Sequence, residues 1–452
     1  MLCGGQCILA RPSSRPPPSA QSPRVGVLVV GLSGNNGATV AATLEAARQR
    51  ASLEWESAQG PVRASDVVDL GCISQLRDGP CGEWLAPCRV GRLENMVLGG
   101  WDVRDVRVGD ALYQGRILPH DLVRRVKRKL NGLPVWRGIY DESFVGPNQR
   151  ATATHVTTPG VPSPGQGASK GTKEIAREVR KRQLEQARKD IRSFLRRHRM
   201  ESAKGDHATV IWSATVERLS SFSPTTAQEL LAAFYDDDDK KEMEMEMEEE
   251  PDVSPSLIYA TAAVLEGCSF VNGGSQNTIC AGLLELAQVR RSEEGLPPAY
   301  VLGTDFKAGQ TKFKTAALEY VRAVGLRPKV LASSNHLGNN DMRSLLFPAA
   351  VQAKLRVKHD IFGPPWRLTK GANDGGGGGS GEANEPFEEG SLEAIADPYR
   401  HSRPGLDHKV KVGNTQAALL PHKNWREVAR CASKEWLSHM WFLLLRSRFF
   451  AS

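Results

Sequence analysis

Three glycines follow a short apolar run close to the amino terminus and are spaced three residues apart. The run VGVLVV at residues 25–30 is typical of a buried strand, and Gly31, Gly34 and Gly37 come directly after it. A glycine turn that opens a helix lets backbone amides reach a pyrophosphate, because glycine has no Cβ and the helix amino terminus is partly positive. The spacing is G-x-x-G-x-x-G, with Ser33 in the middle position, rather than the usual G-x-G-x-x-G. A tight structural turn without a ligand is the alternative interpretation.

A dinucleotide site of this kind also needs an acid that binds a ribose hydroxyl, and two acids are candidates. Asp69 and Asp102 each stand at the end of a predicted strand, over residues 67–70 and 97–102. Both lie further along the chain than the customary distance of about 20 residues after the glycines. Each of them can equally be an ordinary surface acid.

Two groups of lysines have spacings that suit an anionic ligand. Lys307, Lys312 and Lys314 cluster near Asp305, and Lys354 and Lys358 are four residues apart, so a helix places both on one face. Two like charges at that spacing destabilise a helix by about 0.2–0.5 kcal/mol, and a bound phosphate would remove the repulsion. From spacing alone, a solvated basic helix is the simpler interpretation.

Polar residues are also concentrated in three loop-prone segments, at residues 272–278, 303–312 and 333–341. Loops held between regular elements are where binding and catalytic residues concentrate. Asp305 can instead cap the helix that follows it, and the asparagines around His336 can form a plain turn.

Strand and helix patterns alternate along most of the chain. Strands are predicted at residues 25–30, 67–70, 97–102 and 210–213, and helices from about Ala38, over 119–130, from Lys173 to Arg199, and over 257–266. This alternation predicts an α/β fold built on a doubly wound parallel sheet.

Four segments have the composition of loops or tails. Residues 158–171 are rich in Pro, Gly and Ser, residues 236–250 read DDDDKKEMEMEMEEE, and residues 371–391 contain five consecutive glycines. Each of these three predicts a solvated loop insertion. Residues 1–23 contain no acid and predict a disordered tail, with a weak organelle transit peptide as the alternative.

The chain has 452 residues and a formal net charge of +8, so nucleic acid has to be weighed as a partner. Much of the positive charge lies between Lys173 and Arg199. The apolar residues there fall mostly on one helical face: Ile175, Val179, Ala187, Ile191 and Leu195. A docked helix with a solvated face is favoured, because these charges do not alternate with base-stacking aromatics. Nucleic acid is therefore not expected as a partner. No run of about 18 apolar residues is present, so a membrane is not expected as a partner either.

Eight cysteines are scattered without a paired framework. In a chain of this size they indicate reduced thiols and a cytoplasmic location. Cys81 and Cys88 have no second pair nearby, so no metal site is expected.

Five phrases of the sequence, taken in order, resemble one family, the myo-inositol-1-phosphate synthases. The phrases are Gly31-Leu-Ser-Gly-Asn-Asn-Gly37, Gly100-Trp-Asp102, Asn272 to Thr278, Gly303 to Lys312, and Asn335-His-Leu-Gly-Asn-Asn-Asp341. The resemblance covers roughly residues 24–358 and is interrupted by the first two insertions. Five ordered motifs are far more specific than a lone glycine motif.

The resemblance implies an NAD-dependent isomerase. Its reaction converts D-glucose 6-phosphate to 1L-myo-inositol 1-phosphate by internal oxidation, enolisation, intramolecular aldol cyclisation and reduction, and serves inositol and phospholipid biosynthesis. The implied architecture is a Rossmann-like NAD-binding domain over residues 24–311 and a second α/β domain, for catalysis and tetramerisation, over residues 312–416. A cytoplasmic homotetramer is expected.

The resemblance also implies roles for individual positions of this chain. The implied catalytic residues are Asp305, Lys354 and Lys358. The residues implied to bind NAD are Gly31, Gly34, Asn35, Asn36, Gly37, Asp102, Ser213, Ala214, Asn277, Thr278, Asp305, Asn340 and Asp341. The residues implied to bind the substrate are Gln310, Thr311, Lys312, Asn335, Leu337 and Asn339.

The chain departs from the family pattern near its carboxyl end. The family has Val-Gly-Asp-Ser-Lys where this chain reads Val412-Gly-Asn-Thr-Gln416, so Asn414 replaces an acid and Gln416 replaces a lysine. Residues 417–452 match no part of the family pattern. Two other functions therefore stay open: a catalytically impaired NAD-binding relative, and a sugar-phosphate dehydrogenase that releases NADH.

Overall fold

The computed structural model describes the chain from Arg24 to Gly303 with gaps, and several short segments beyond. The described residues are 24–57, 60–68, 93–157, 170–202, 205–235, 250–293, 299–303, 305–306, 316–317, 320, 323–324, 333–336, 347–350, 352–353, 409–412 and 415–418. For the strands beyond residue 330, only the backbone is described.

Strands and helices alternate along the chain, as the sequence predicts. The strands are β1 (Val25–Val30), β2 (Glu54–Ser57), β3 (Gly60–Arg63), β4 (Met96–Asp102), β5 (Val135–Arg137), β6 (His207–Trp212), β7 (Ser269–Asn272), β8 (Val301–Leu302), β9 (Ser333–His336), β10 (Lys409–Val412) and β11 (Thr415–Ala418). The helices are α1 (Asn35–Arg48), α2 (Ala64–Val67), α3 (Val108–Gly115), α4 (His120–Leu130), α5 (Lys170–Arg197), α6 (Ala227–Ala232), α7 (Pro255–Leu265) and α8 (Ala281–Glu293).

Six parallel strands form the main sheet, in the spatial order β5-β4-β1-β6-β7-β8. Numbered along the chain within this sheet, the order is 3-2-1-4-5-6, which is the doubly wound order of Rossmann domains. The predicted α/β fold and parallel sheet are therefore confirmed. The strand order reverses at β1, so the loops after β1, β4 and β6 meet at one edge of the sheet.

Two hydrophobic clusters cover the two faces of the sheet. β1 is buried along its whole length, and its alternate side chains face opposite sides: Val27 and Val29 join one cluster, while Leu28 and Val30 join the other. Helices α1, α3 and α4 pack on the first side, and α5, α7 and α8 pack on the second. Because both faces of β1 are covered, its sequence is apolar throughout rather than alternating.

The long basic helix is docked on the sheet. In α5, Leu184, Ile191 and Phe194 are fully buried, so the docked-helix interpretation is confirmed for this part. The predicted apolar face is wrong at Ile175, which is 57% exposed. Some of the charge is paired: Arg180 lies 2.5 Å from a carboxylate oxygen of Glu250, the last residue of the predicted acidic insertion.

Several predicted boundaries shift, and one predicted strand is wrong. Val67 ends the helix α2 and Val68 lies in a turn, so the pair does not start a strand; residues 69–70 lie outside the described residues. The helix expected from Ala38 begins at Asn35, and the helix expected at Pro119 begins one residue later, with Pro119 as its N-cap.

A smaller three-stranded sheet has the order β10-β11-β9, and β2 pairs with β3 in a hairpin. In the three-stranded sheet, Gln416 of β11 is the register partner of Ser334 in β9. The domain division at residues 311 and 312 stays a prediction, and the glycine-rich residues 371–391 lie outside the described residues. No helix among the described residues is long and apolar enough to cross a membrane.

Candidate functional site

A cavity opens at the carboxyl ends of the central strands, where the strand order reverses. It is lined by the glycine turn and the start of α1, by the ends of β4 and β6, and by the loops after β5, β7 and β8. Ligands of open α/β sheets bind at this topological switch point. The predicted site residues that line it are Gly31, Gly34, Asn35, Asn36, Asp102, Ser213, Ala214 and Asp305.

The glycine turn is held tightly to the ends of two strands. Gly31 has a φ of 89°, and a Cβ added there would lie 2.9 Å from the Cα atom of Ala214. At Gly37, an added Cβ would lie 2.5 Å from the carbonyl oxygen of Leu32. The amides of Gly31 and Leu32 donate to the carbonyl of Trp101, at 2.8 and 3.0 Å. The turn therefore needs glycine at both ends.

The first turn of α1 supplies unused hydrogen-bond donors to this region. Its N-cap is Gly34, and no described side chain caps the helix. In the described part of the chain, no acceptor bonds the backbone amides of Asn35, Asn36 or Gly37. Unpaired amides at a helix amino terminus are suited to an anion, because the helix dipole adds a partial positive charge there. These amides, rather than those of the glycine turn itself, are available to a phosphate.

Asp102 ends β4, the second strand of the Rossmann order, which is where a ribose-binding acid is expected. Its carboxylate accepts hydrogen bonds from the amides of Ser33 and Arg104, both at 2.9 Å. Burial raises the pKa of Asp102, and the adjacent Arg104 guanidinium and the two amides partly offset that rise. The acid comes late in the sequence because a hairpin and α2 are inserted between α1 and β4. The other candidate, Asp69, lies outside the described residues.

The end of β6 forms the opposite wall of the cavity. The amide of Ser213 donates to the carbonyl of Val30 at 3.0 Å, which fixes this segment beside the glycine turn. The Ser213 hydroxyl and the Trp212 indole nitrogen are buried, and neither has a hydrogen-bond partner among the described residues. Buried polar atoms are normally paired, so these two indicate a ligand that would complete them.

Asp305 reaches the same cavity through the loop after β8. Its backbone has a φ of 69°, and its amide donates to the carbonyl of Gly274 at 2.7 Å. The neighbouring Phe306 packs so closely that a Cβ on Gly273 would lie 2.1 Å from its ring. The loops after β7 and β8 are thus locked together, which brings Asp305 to the glycine turn.

Asn277 and Thr278 do not line the cavity. The Asn277 side chain both donates to and accepts from the backbone of Ser220, at 2.8 and 2.9 Å. The Thr278 hydroxyl lies 2.7 Å from that of Ser256. Both side chains brace neighbouring segments, and their cofactor contacts stay a prediction.

Sequence reasoning missed a buried carboxyl group next to the cavity wall. Glu217 is fully buried and accepts hydrogen bonds from the amide and hydroxyl of Ser256, at 3.2 and 2.5 Å. Burial raises the pKa of Glu217 to about 8. Its network, which continues to Thr278, joins the loop after β6 to the start of α7. The available sequence signal was an acid in the short segment that follows the apolar residues Val210–Trp212.

Sequence reasoning also missed Arg104, which lines the cavity two residues after Asp102. Its guanidinium lies 3.5 Å from Asp102 and donates to the carbonyl of Ser33 in the glycine turn. Proximity to the predicted ribose acid was the available signal.

Most of the predicted substrate residues lie outside the described residues. These are Gln310, Thr311, Lys312, Leu337 and Asn339, together with the predicted catalytic Lys354 and Lys358 and the predicted cofactor residues Asn340 and Asp341. Asn335 lies in β9, where its register partner is Ala417 of β11. Their roles stay predictions.

A family model described as myo-inositol-1-phosphate synthase matches residues 25–399. The chain belongs to this family. The match begins at the first residue of β1 and includes the glycine turn, Asp102 and Asp305. The resemblance seen in the five sequence phrases is thereby confirmed.

Individual members of the myo-inositol-1-phosphate synthase family show the same relationship. The chain is 33% identical over 341 residues to inositol-3-phosphate synthase 1 of Oryza sativa subsp. japonica, which covers 74% of this chain and 58% of that protein. It is 32% identical over 349 residues to the inositol-3-phosphate synthase of Drosophila melanogaster, covering 75% of this chain and 54% of that protein. The chain thus spans less than two thirds of the length of these curated relatives.

A solved structure of this family has a similar fold. The crystal structure of inositol-3-phosphate synthase from Caenorhabditis elegans matches with a TM-score of 0.59 and 27% identity, covering 75% of this chain and 60% of that one.

The cavity residues fit a dinucleotide: a helix amino terminus with free amides suits a pyrophosphate, and the unpaired Ser213 hydroxyl and Trp212 indole nitrogen offer further donors.

Proposed function

We propose that this chain binds NAD in the cavity at the switch point and isomerises D-glucose 6-phosphate to 1L-myo-inositol 1-phosphate. The observation that carries the proposal is the convergence of the glycine turn, the uncapped start of α1 and Asp305 on one cavity of a family member. When bound, NAD supplies a hydride acceptor that is restored within one turnover, so the reaction is a net isomerisation.

The described residues have separate tasks in this proposal. The amides of Asn35, Asn36 and Gly37 hold the pyrophosphate at the start of α1. Asp102 fixes the glycine turn through Ser33 and stands beside the adenosine ribose. Asp305, held in position by its amide bond to Gly274, orients a catalytic lysine or the nicotinamide ribose.

The chemical steps need cations, which the proposal assigns to lysines. Oxidation, enolisation and aldol closure each develop negative charge on a substrate oxygen, and an ammonium group stabilises that charge. Lys354 and Lys358 are proposed for this role, with Gln310, Thr311, Lys312, Asn335, Leu337 and Asn339 around the substrate. A cytoplasmic homotetramer acting in inositol and phospholipid biosynthesis is part of the same proposal.

A catalytically impaired NAD-binding relative is the second candidate. What favours it is Gln416, which stands where the resemblance to the family implies a lysine; its strand β11 pairs with β9. Glutamine carries no charge, so it cannot neutralise an enolate or a phosphate as a lysine does.

The test is to incubate the purified chain with glucose 6-phosphate and NAD and to measure both inositol phosphate and free NADH. We expect inositol phosphate without accumulation of NADH. Accumulating NADH without inositol phosphate identifies a sugar-phosphate dehydrogenase. Binding of NAD with neither product identifies the impaired relative. Asp305→Asn is the matched variant, expected to lower turnover while leaving the protein folded by circular dichroism.

A further inference from the structure

We propose that Arg104 reads the 2′ position of the adenosine ribose, so that the cavity accepts NADP as well as NAD. The inference rests on the proposed dinucleotide site and adds its specificity. In Rossmann domains the end of the second strand meets the ribose: an acid there binds the 2′-hydroxyl, and an arginine nearby accommodates a 2′-phosphate. β4 is that strand here, and it ends in Asp102 with Arg104 two residues later.

Both oxygens of the Asp102 carboxylate already accept hydrogen bonds from backbone amides of the protein. One oxygen accepts from the amide of Ser33 and the other from the amide of Arg104, both at 2.9 Å. The side chain is only 4% exposed, whereas that of Arg104 is 35% exposed and lines the cavity. At the ribose position, the group presented to a ligand is therefore chiefly the guanidinium.

The Arg104 guanidinium is held in one orientation. It donates through Nη2 to the carbonyl of Ser33, and its Nε atom lies 3.5 Å from Asp102. No described residue accepts a hydrogen bond from its Nη1 atom. An anchored guanidinium with a spare donor edge suits phosphate, because its planar fork matches the geometry of phosphate oxygens.

The neighbouring negative charges do not prevent phosphate binding. The charge of Asp102 is balanced by Arg104 itself and by two amides. Asp105 is 82% exposed, lies 3.9 Å from His155, and does not line the cavity. Of the two acids that could repel a 2′-phosphate, Asp102 is therefore paired with Arg104, and Asp105 lies outside the cavity lining.

The experiment measures the dissociation constants of NAD and NADP for the full chain by isothermal titration calorimetry at fixed salt. We expect the wild-type protein to bind both. Arg104→Ala should weaken NADP binding about 10- to 100-fold more than NAD binding, the range for charge-assisted hydrogen bonds, because only NADP carries the 2′-phosphate. Arg107→Ala is the matched control, since Arg107 is exposed, pairs with Asp110 and does not line the cavity.

Arg104→Lys keeps the positive charge but removes the planar fork of guanidinium donors, so an intermediate loss of NADP affinity is expected. This variant takes the place of Arg104→Ala if Arg104→Ala does not fold. Wild-type protein that binds NAD but not NADP overturns the inference alone, as does an equal loss of both affinities in Arg104→Ala or Arg104→Lys. Binding of neither nucleotide to the wild-type protein overturns the proposed function as well.

Discussion

Glu217 places a carboxyl group wholly inside the protein, where it accepts hydrogen bonds from the amide and the hydroxyl of Ser256. A group whose folded pKa is raised keeps its proton in the folded state after the unfolded chain has released it. The unfolding free energy therefore falls as pH rises from the ordinary glutamate value of 4.5 towards about 8. Below that window the group is protonated in both the folded and the unfolded state, so it contributes no pH dependence to the stability.

The first prediction is that Glu217→Gln flattens the pH dependence of stability between pH 5 and pH 8. Glutamine copies the protonated acid but cannot ionise, so its variant lacks a slope of about 1.4 kcal/mol per pH unit that the wild type should show. Urea unfolding at several pH values measures the slope. Glu54→Gln is the control, because Glu54 is exposed in β2. Equal slopes in wild type and Glu217→Gln would mean that Glu217 ionises freely.

The second prediction concerns Gln416, whose backbone β11 pairs with β9. Gln416→Lys introduces the positive charge that the resemblance implies at this position, so turnover of glucose 6-phosphate should rise. Electrostatic groups of this kind commonly change rates by about 10²–10³. The measurement is kcat, with Gln288→Lys as a control that adds the same charge at an exposed position of α8 away from the cavity lining. Turnover that rises equally in both variants would point to net charge instead.

At the scale of elements, a few buried side chains should account for much of what α5 contributes to the unfolding free energy of the protein. The third prediction is that Ile191→Ala lowers the unfolding free energy by about 2–5 kcal/mol, because it leaves a cavity against the sheet. The same helix offers a matched control in Ile175, which is 57% exposed. Ile175→Ala should change stability by no more than about 0.5 kcal/mol. Similar losses in the two variants, measured by urea unfolding, would contradict the docked arrangement of α5.

The turn between β1 and α1 carries the fourth prediction. Gly37→Ala forces a Cβ to within 2.5 Å of the Leu32 carbonyl oxygen, so the start of α1 must shift. NAD affinity should fall by at least about 10-fold, measured by calorimetry, because the amides proposed to hold the pyrophosphate move with the helix. Gly132→Ala, with its nearest contact at 3.3 Å, is the matched control. Unchanged affinity in Gly37→Ala would remove α1 from the proposed site.

The elements that could be predicted from sequence are those with strong local patterns. β1, the glycine turn and α5 have periodicities that tertiary packing reinforces. The predicted strand at residues 67–70 failed because Val67 and Val68 have a strand-like composition, yet Val67 ends the short helix α2. Short apolar runs of this kind do not distinguish helix from strand.

At the scale of the whole molecule, topology decides which distant residues meet. Asp102 could not be singled out by spacing as the proposed ribose-binding acid, because β2, β3 and α2 separate it from the glycines. Only the sheet order identifies β4 as the neighbour of β1. Arg104 stands only two residues after Asp102, but that its side chain lines the cavity follows from the sheet order and could not be read from the sequence. The side chains of Asn277 and Thr278 likewise meet residues remote in sequence, because they bond to Ser220 and Ser256.

The bond from the Asp305 amide to the Gly274 carbonyl has a consequence for solution measurements. It is one of the ties between the segment after β8 and the loop that follows β7, on a cavity whose other wall is the amino-terminal turn. A nucleotide bound across the cavity would contact both walls and so connect chain segments that are remote in sequence. Its binding should therefore slow hydrogen–deuterium exchange at Asp305 and Phe306, far along the chain from the glycines it touches.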